Sequence, residues 1–267
     1  MQSCPLCANF AVKRLALPHT TVWECASRRC GLRYAAPQLD ERSLQEAYRK
    51  FYYPDSPRAG TVAYKPTSVE ILHQVFRYAI AEFGDLSGWR LLDYGCGTGA
   101  LCNAALSYGL QPVGIESDAN ACGEAGANGR YPVYQRLEDL LASEPGIRFD
   151  VITLWEVIEH LRMPWIDLAN LRRILKTDGR LLVSTPNARG AKARLLGPRW
   201  DNYANPTHFY YFTRESLPFV LQQSGFSRVT VWNAHIDYPH HGALRRTLNR
   251  ALAAPNLQGE LLLLGRP

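Results

Sequence analysis

The chain lacks any run of about 18 consecutive apolar residues, so no membrane-crossing helix is expected. Its start, MQSCPLCANF, lacks the basic-then-apolar order of a secretion signal, and a cytoplasmic location is the expectation. No internal repeat divides it. A strong excess of one charge is also missing: 30 Lys and Arg against 24 Asp and Glu leave a net charge of +6. That is below the level of a dedicated nucleic-acid binder, and no RNA-binding motif is present. Seven cysteines are an odd number for a disulfide framework. Four cluster near the N-terminus, while Cys96, Cys102 and Cys122 lie mid-chain. In a cytoplasmic protein such a cluster points to a metal before disulfides.

What is present is length and apolar content for one α/β domain with a small appendage: 267 residues, 46% of them hydrophobic. The pattern divides into a cysteine-rich module over 1–36, a helical linker over 37–66 and a main domain over 67–267. In the module, Phe10–Leu17 and Thr21–Glu24 suit a hairpin. Residues 40–53 suit a helix capped by Asp40, and Tyr53-Pro54-Asp55-Ser56-Pro57 breaks it. Thr67–Phe83 has helical spacing. Strands and helices then alternate: strand Arg90–Tyr94, helix Ala100–Tyr108, strand Pro112–Glu116, a weak Ala/Gly-rich helix and a short strand Val133–Arg136. Strand Asp150–Leu154, helix Trp165–Leu175 and strand Arg180–Ser184 follow, then helix Thr213–Ser224 and strands Ser227–Asn233 and Glu260–Leu264. Such alternation predicts a mostly parallel sheet with helices on both faces. Residues 186–212 and 239–258 read as irregular insertions.

The most informative stretch is Leu91-Leu92-Asp93-Tyr94-Gly95-Cys96-Gly97-Thr98-Gly99. An apolar strand enters a glycine turn and a helix follows, which lets a ligand approach the backbone with no Cβ in the way. A second strand, Val113-Gly114-Ile115-Glu116, ends in a carboxylate 23 residues after Asp93, placed to accept hydrogen bonds from ribose hydroxyls. Asp93 before the turn suits an ammonium group or an ordered water. Dinucleotide-binding turns usually carry G-x-G-x-x-G without that acid.

In order, LLDYGCGTG, VGIESD, FDVITLWEVIEHL, LRRILKTDGRLLVSTPN and HFYYFTRESLPFVLQQSGF resemble the motifs of the class I S-adenosylmethionine-dependent methyltransferases, in their ubiquinone-biosynthesis-like branch. The match covers roughly residues 68–266. The resemblance implies an α/β Rossmann-like sheet with its last strand antiparallel. It implies a site for S-adenosyl-L-methionine drawn from Asp93, Gly95, Cys96, Gly97, Gly99, Glu116, Ser117, Glu138, Asp139, Leu154 and Glu156, with adenine near Leu137, Glu138 or Asp139. Glu138 and Asp139 read equally well as helix-start acids. Lys176-Thr177-Asp178-Gly179 replaces the family's usual Lys-Pro-Gly-Gly turn.

In Trp155-Glu156-Val157-Ile158-Glu159-His160, positions 156, 159 and 160 are spaced i, i+3 and i+4, which places them on one face of a helical turn. Two carboxylates and an imidazole there could hold a divalent ion, with His208 closing the site from Asn205-Pro206-Thr207-His208. The E-x-x-E-H pattern with a distant histidine resembles metal-dependent ubiquinone-biosynthesis O-methyltransferases and small-RNA 2′-O-methyltransferases. It implies Mg²⁺, Mn²⁺ or Zn²⁺ acidifying a hydroxyl. Without a metal, His160 or His208 would be the general base, with Glu159 beside them. Otherwise His160 braces a helix and His208 packs among Phe209, Tyr210, Tyr211 and Phe212.

Cys4-x₂-Cys7 and Cys25-x₄-Cys30, separated by seventeen residues, supply four thiolates for a structural Zn²⁺. Similar zinc-ribbon-like starts occur in bacterial methyltransferases of sugar and polysaccharide pathways. Arg189, Lys192, Arg194 and Arg199 form one basic stretch, and Arg245, Arg246 and Arg250 another. The first is expected to border the acceptor pocket and favour an anionic acceptor. Residues 243–254, with Leu244, Leu248 and Leu252, suit a lid, a dimer contact or a peripheral membrane contact. The expected function is O-methylation of a small, sugar or lipid-linked hydroxyl. The alternatives are an RNA methyltransferase or a non-catalytic cofactor-binding scaffold. Oligomeric state is not legible.

Overall fold

The computed structural model describes residues 2–52, 69–231 and 259–267. The expectations for Tyr53–Pro57, for Thr67 and Ser68, for the end of the strand at Asn233, and for residues 239–258 with Arg245, Arg246, Arg250 and the 243–254 helix lie outside the described residues.

The N-terminal strands are β1 (Gln2–Ser3), β2 (Phe10–Ala16), β3 (Thr21–Cys25) and β4 (Arg33–Ala36), paired antiparallel in that order. The β2–β3 hairpin lies where the alternating pattern puts it. Helix α1 (Glu41–Tyr52) starts at Asp40, whose Oδ1 accepts the Ser43 backbone N–H at 2.7 Å and so satisfies an orphan donor of the first turn. Helix α2 (Val69–Phe83) buries Ile71, Leu72, Val75 and Phe76 on one stripe.

The main sheet is built from β5 (Arg90–Tyr94), β6 (Gln111–Ile115), β7 (Val133–Tyr134), β8 (Phe149–Trp155) and β9 (Leu175–Pro186), with α3 (Ala100–Leu106), α4 (Ala119–Asn128), α5 (Leu137–Ser143) and α6 (Pro164–Ile174) between them. Then come α7 (Ala191–Leu196), α8 (Asp201–Ala204), β10 (Tyr210–Tyr211), α9 (Ser216–Gln223), β11 (Arg228–Val231) and β12 (Glu260–Arg266). The strand order is β11-β12-β9-β8-β5-β6-β7, parallel from β9 to β7, with β12 antiparallel to both neighbours. This is the expected Rossmann-like sheet. The chain runs outward from β5 to β7, then returns to place β8 on the other side of β5. Ligands of such sheets bind at that switch point, beyond the carboxyl ends of the strands.

Both faces of the sheet are covered, which is why β5 and β8 read as near-continuous apolar runs. Leu91 packs with Leu72, Phe76, Leu101 and Ala105 on one face. Leu92, Ile152 and Leu154 pack with Leu168, Leu171, Leu217 and Val220 on the other. Several of these side chains are fully buried, and each contributes roughly 1.5–3 kcal/mol of transfer free energy. Thr213 and Ser216 exchange side-chain and backbone hydrogen bonds at 2.9 and 3.1 Å before α9, the capped start their spacing suggests.

One expectation is corrected. Residues 186–212 are not an irregular insertion: they carry α7, α8 and β10, and β10 pairs with β4 as the fifth strand of the N-terminal sheet. A two-residue strand has too little periodicity to be visible in sequence, and its pairing spans more than 170 residues of chain.

Candidate active site

The glycine turn leaves β5 with the backbone N–H groups of Gly95 and Cys96 both donating to the Ile115 carbonyl, at 2.7 and 2.9 Å. Gly95 has φ +82°, and a Cβ there would lie 2.5 Å from Val157 Cγ2. A side chain at this position is excluded by both conformation and space. Glu116, at the tip of β6, accepts from Gly97 N–H at 2.9 Å through Oε2 and from Asp118 N–H at 2.9 Å through Oε1. It therefore joins the glycine turn to the start of α4. Oε1 also accepts from Ser117 Oγ at 3.4 Å, while Oε2 keeps a further lone pair for a ligand hydroxyl. Burial raises the Glu116 carboxyl above the usual glutamate range.

Asp93 is buried, and its Oδ1 accepts from Thr153 Oγ1 at 2.7 Å. Loss of solvation pushes its carboxyl up to about 7; the Thr153 hydrogen bond opposes the rise and the Glu116 charge adds to it. A buried acid so poised favours a cationic ligand group, which would restore its ordinary ionisation. Cys96 is buried in the turn and Ser117 is exposed beside Glu116. Leu154 is fully buried in the core. Glu138 is exposed, and Asp139 pairs with Arg136 at 2.7 Å. Both occupy the first turn of α5, the helix-start position weighed for them in the sequence.

Beyond β8 the three-residue face expected from Glu156, Glu159 and His160 does not form. Glu156 has φ +56°, a left-handed conformation that ends the strand before any helical turn begins. Its Oε1 accepts from Ser184 Oγ at 2.8 Å. A 3₁₀ turn over Ile158–His160 follows. The ligand atoms that come together, all within 4.8 Å of one another, belong to Glu159, His160 and His208. The corrected donor set is one carboxylate and two imidazoles.

Glu159 is 1% exposed. Its Oε2 accepts from Thr185 Oγ1 at 2.9 Å, while its Oε1 is buried with no hydrogen-bond partner. Burial pushes this carboxyl up to about 8. Glu156 is raised well above its ordinary range, first by burial and then by the charges of Glu159 and Glu260. The two histidine rings meet edge to face, with centroids 4.6 Å apart. Burial lowers His160 to about 4 and His208 well below the usual histidine range, so both are neutral. His160 Nδ1 faces the Thr207 carbonyl and the Thr207 hydroxyl, each at 3.0 Å. That hydroxyl donates to Asn205 Oδ1 at 2.8 Å, so both oxygens act as acceptors and the ring proton is assigned to Nδ1. Nε2 is then the lone-pair nitrogen.

Sequence reasoning named the acids and histidines but missed the groups that hold them: Thr153, Ser184, Thr185, Asn205 and Thr207. Glu260 was read only as the start of an apolar strand. Asn205-Pro206-Thr207 carried a turn signal; the other hydroxyls sit on buried strands and carried none.

The four N-terminal thiols also meet within 4.8 Å, with Cys4 Sγ 3.8 Å from Cys30 Sγ and Cys7 Sγ 3.5 Å from Cys25 Sγ. These separations are far beyond a disulfide bond. They match the ~3.8 Å edge of a tetrahedron with metal–sulfur bonds of ~2.3 Å. Ala8 and Gly31, each following the second cysteine of its pair, take left-handed φ of +57° and +54° and turn the chain around the thiols.

The basic stretch carries ion pairs of its own. Arg189 pairs with Glu24 and Glu215 at 3.5 and 3.3 Å, and Lys192 with Asp201 at 2.6 Å. Two of its four cations thus have carboxylate partners.

A family model described as methyltransferase domain matches residues 68–231. A ubiquinone biosynthesis O-methyltransferase of Bradyrhizobium sp. (strain ORS 278) is 29% identical over 158 residues, which take in 52% of this chain and 62% of that relative. The chain therefore aligns with less than two thirds of the relative's length. Among solved structures, a SAM dependent methyltransferase from Archaeoglobus fulgidus superposes with a TM-score of 0.55 at 21% identity, over 75% of this chain and 95% of the other. The plantazolicin methyltransferase BamL, solved with SAH, gives 0.54 at 14% identity over 74% and 84%. These two likenesses establish the fold.

Proposed function

From the chain's membership of the methyltransferase-domain family, we propose that it moves a methyl group from S-adenosylmethionine to a hydroxyl oxygen of a small molecule. The observation that carries this reading is the placement of two buried acid subsites beyond the carboxyl ends of adjacent parallel strands. Asp93 stands before the glycine turn of β5, and Glu159 stands with two neutral histidines after β8.

The first subsite fits the proposed donor. Asp93 suits its cationic end, Glu116 Oε2 has a lone pair for a ribose hydroxyl, and the turn leaves no Cβ in the way. When bound, S-adenosylmethionine supplies an electrophilic methyl group on a positively charged sulfur. The chain's own part is to orient it and keep water away, which is a large share of catalysis for so reactive a donor.

The second subsite fits a divalent ion. A desolvated carboxylate oxygen without a partner and two lone-pair nitrogens form a set that calls for positive charge. One oxygen and two nitrogens suit Mn²⁺ or Zn²⁺ better than Mg²⁺, which prefers all-oxygen surroundings. An ion held there by Glu159, His160 and His208 would lower the pKa of an acceptor hydroxyl. With its imidazole at about 4, His160 is a weak proton acceptor by itself. The relative's name, ubiquinone biosynthesis O-methyltransferase, supports oxygen as the acceptor atom.

Calorimetry with S-adenosylhomocysteine tests the donor site. Micromolar binding that Asp93→Asn weakens at least tenfold is expected; binding of a nicotinamide dinucleotide in its place would end the reading. Methyl transfer from labelled donor to a panel of phenols, with and without chelator, tests the second subsite. Turnover indifferent to both chelator and Glu159→Gln would remove the metal.

A further inference from the structure

We propose that a zinc ion held by Cys4, Cys7, Cys25 and Cys30 positions His208 without touching substrate, through the pairing of β4 with β10. The proposal rests on reading the acid–histidine group as the acceptor site.

The link is short and made of backbone. Phe209, next to His208, donates its N–H to the Glu159 carbonyl at 2.8 Å, and its own carbonyl accepts the Ala35 N–H at 2.8 Å. One peptide segment is thus tied to the acceptor-site turn on one side and to the N-terminal sheet on the other. Tyr210 and Tyr211 then pair with Tyr34 and Arg33, and among the described residues β4 is the only strand that pairs with β10. The Arg33 guanidinium donates to the Ala188 carbonyl at 3.1 Å, while Ala188 N–H donates to Phe212 O at 2.8 Å, which fixes the far end of the same segment.

From β4 the path to the thiols is equally direct. Leu32, just before β4, accepts the Cys25 N–H at 2.9 Å. Tyr34 Oη donates to the carbonyl of Ser3, the neighbour of Cys4, at 2.8 Å. Cys4, Cys25 and Cys30 are buried in the same apolar cluster as Leu32, Tyr34, Phe209 and Tyr210. The sheet has strands of two, seven, five, four and two residues. So small a sheet gains much of its stability from a metal staple. Four thiols packed around nothing leave its cysteine end unsupported, and β10, paired through only two residues, has few bonds to lose.

The test uses the full chain. Elemental analysis of the purified protein should give one zinc per chain. The imidazole signals of His160 and His208, assigned through His160→Gln and His208→Gln, are then followed by NMR with no other divalent ion present. Stripping zinc with a thiol reagent and chelator, or the Cys7→Ser substitution, should displace the His208 signals. In assays resupplied with Mn²⁺ it should also lower methyl transfer at least tenfold, and it should leave S-adenosylhomocysteine affinity within twofold. Ala35→Pro, which removes the N–H given to Phe209 but no thiol, should retain zinc and move the same signals. If it loses S-adenosylhomocysteine affinity as well, Arg33→Met takes its place. His208 signals that stay put on zinc removal, or in a zinc-loaded β4 variant, overturn the proposal, as does a chain without zinc. Failure to bind S-adenosylhomocysteine in the untreated protein counts against the methyltransferase reading, while the response of His208 to zinc still decides the coupling.

Discussion

Thr185 donates its hydroxyl to one oxygen of Glu159 at 2.9 Å and leaves the other oxygen of that carboxylate buried without a partner. A half-satisfied buried acid costs stability unless a proton or a cation completes it. The Glu159 pocket is therefore built around an unmet requirement for positive charge.

That requirement has a pH signature. The folded protein without metal keeps the Glu159 proton up to about pH 8, whereas an unfolded glutamate releases it near about 4.3. Between these values the folded state holds the extra proton, so stability falls as pH rises. Melting of chelator-treated protein should drop more steeply from pH 5 to 8 than melting of Glu159→Gln, by about 4 °C or more over the range. Parallel curves for the two proteins would show that Glu159 does not carry this proton.

Donor binding should depend on the ionisation of Asp93. Its carboxyl titrates near 7, so affinity for a cationic ligand should weaken as pH falls below that value. Thr153→Val removes the hydrogen bond that holds this value down and should shift the midpoint of the affinity profile to higher pH. Calorimetry with S-adenosylmethionine at a series of pH values reads both effects. A midpoint unmoved in the variant would separate Asp93 from donor binding.

Gly95→Ala should weaken S-adenosylhomocysteine binding at least tenfold, because the new methyl collides with Val157 and the φ of +82° resists any Cβ. Adding Val157→Ala should restore part of the loss, since it relieves the collision and not the conformational cost. Full affinity in the single variant would show that the turn yields freely.

Thr207→Val removes one of the two acceptors facing His160 Nδ1. Turnover should fall severalfold with S-adenosylhomocysteine affinity unchanged, and the His160 imidazole signals should show mixed tautomers. Unchanged NMR signals would mean that the Thr207 carbonyl alone holds the ring.

The sequence alone determined the parts of this protein whose signals are local. Alternating apolar strands and helices specify a parallel sheet. Only a glycine-rich turn fits the sharp bend after Asp93, and an acid at the tip of β6 follows one βα unit later. The paired cysteines announced a thiolate cluster by spacing alone. Tertiary structure decided what depends on distant chain segments and on backbone conformation. Glu156 left the expected ligand set because a left-handed φ ended its strand, which i, i+3 spacing does not encode. His208 met Glu159 across 48 intervening residues through a two-residue strand borrowed by the N-terminal sheet. The raised acids and neutral histidines arise from burial, and burial belongs to the packed molecule and not to any one stretch of chain.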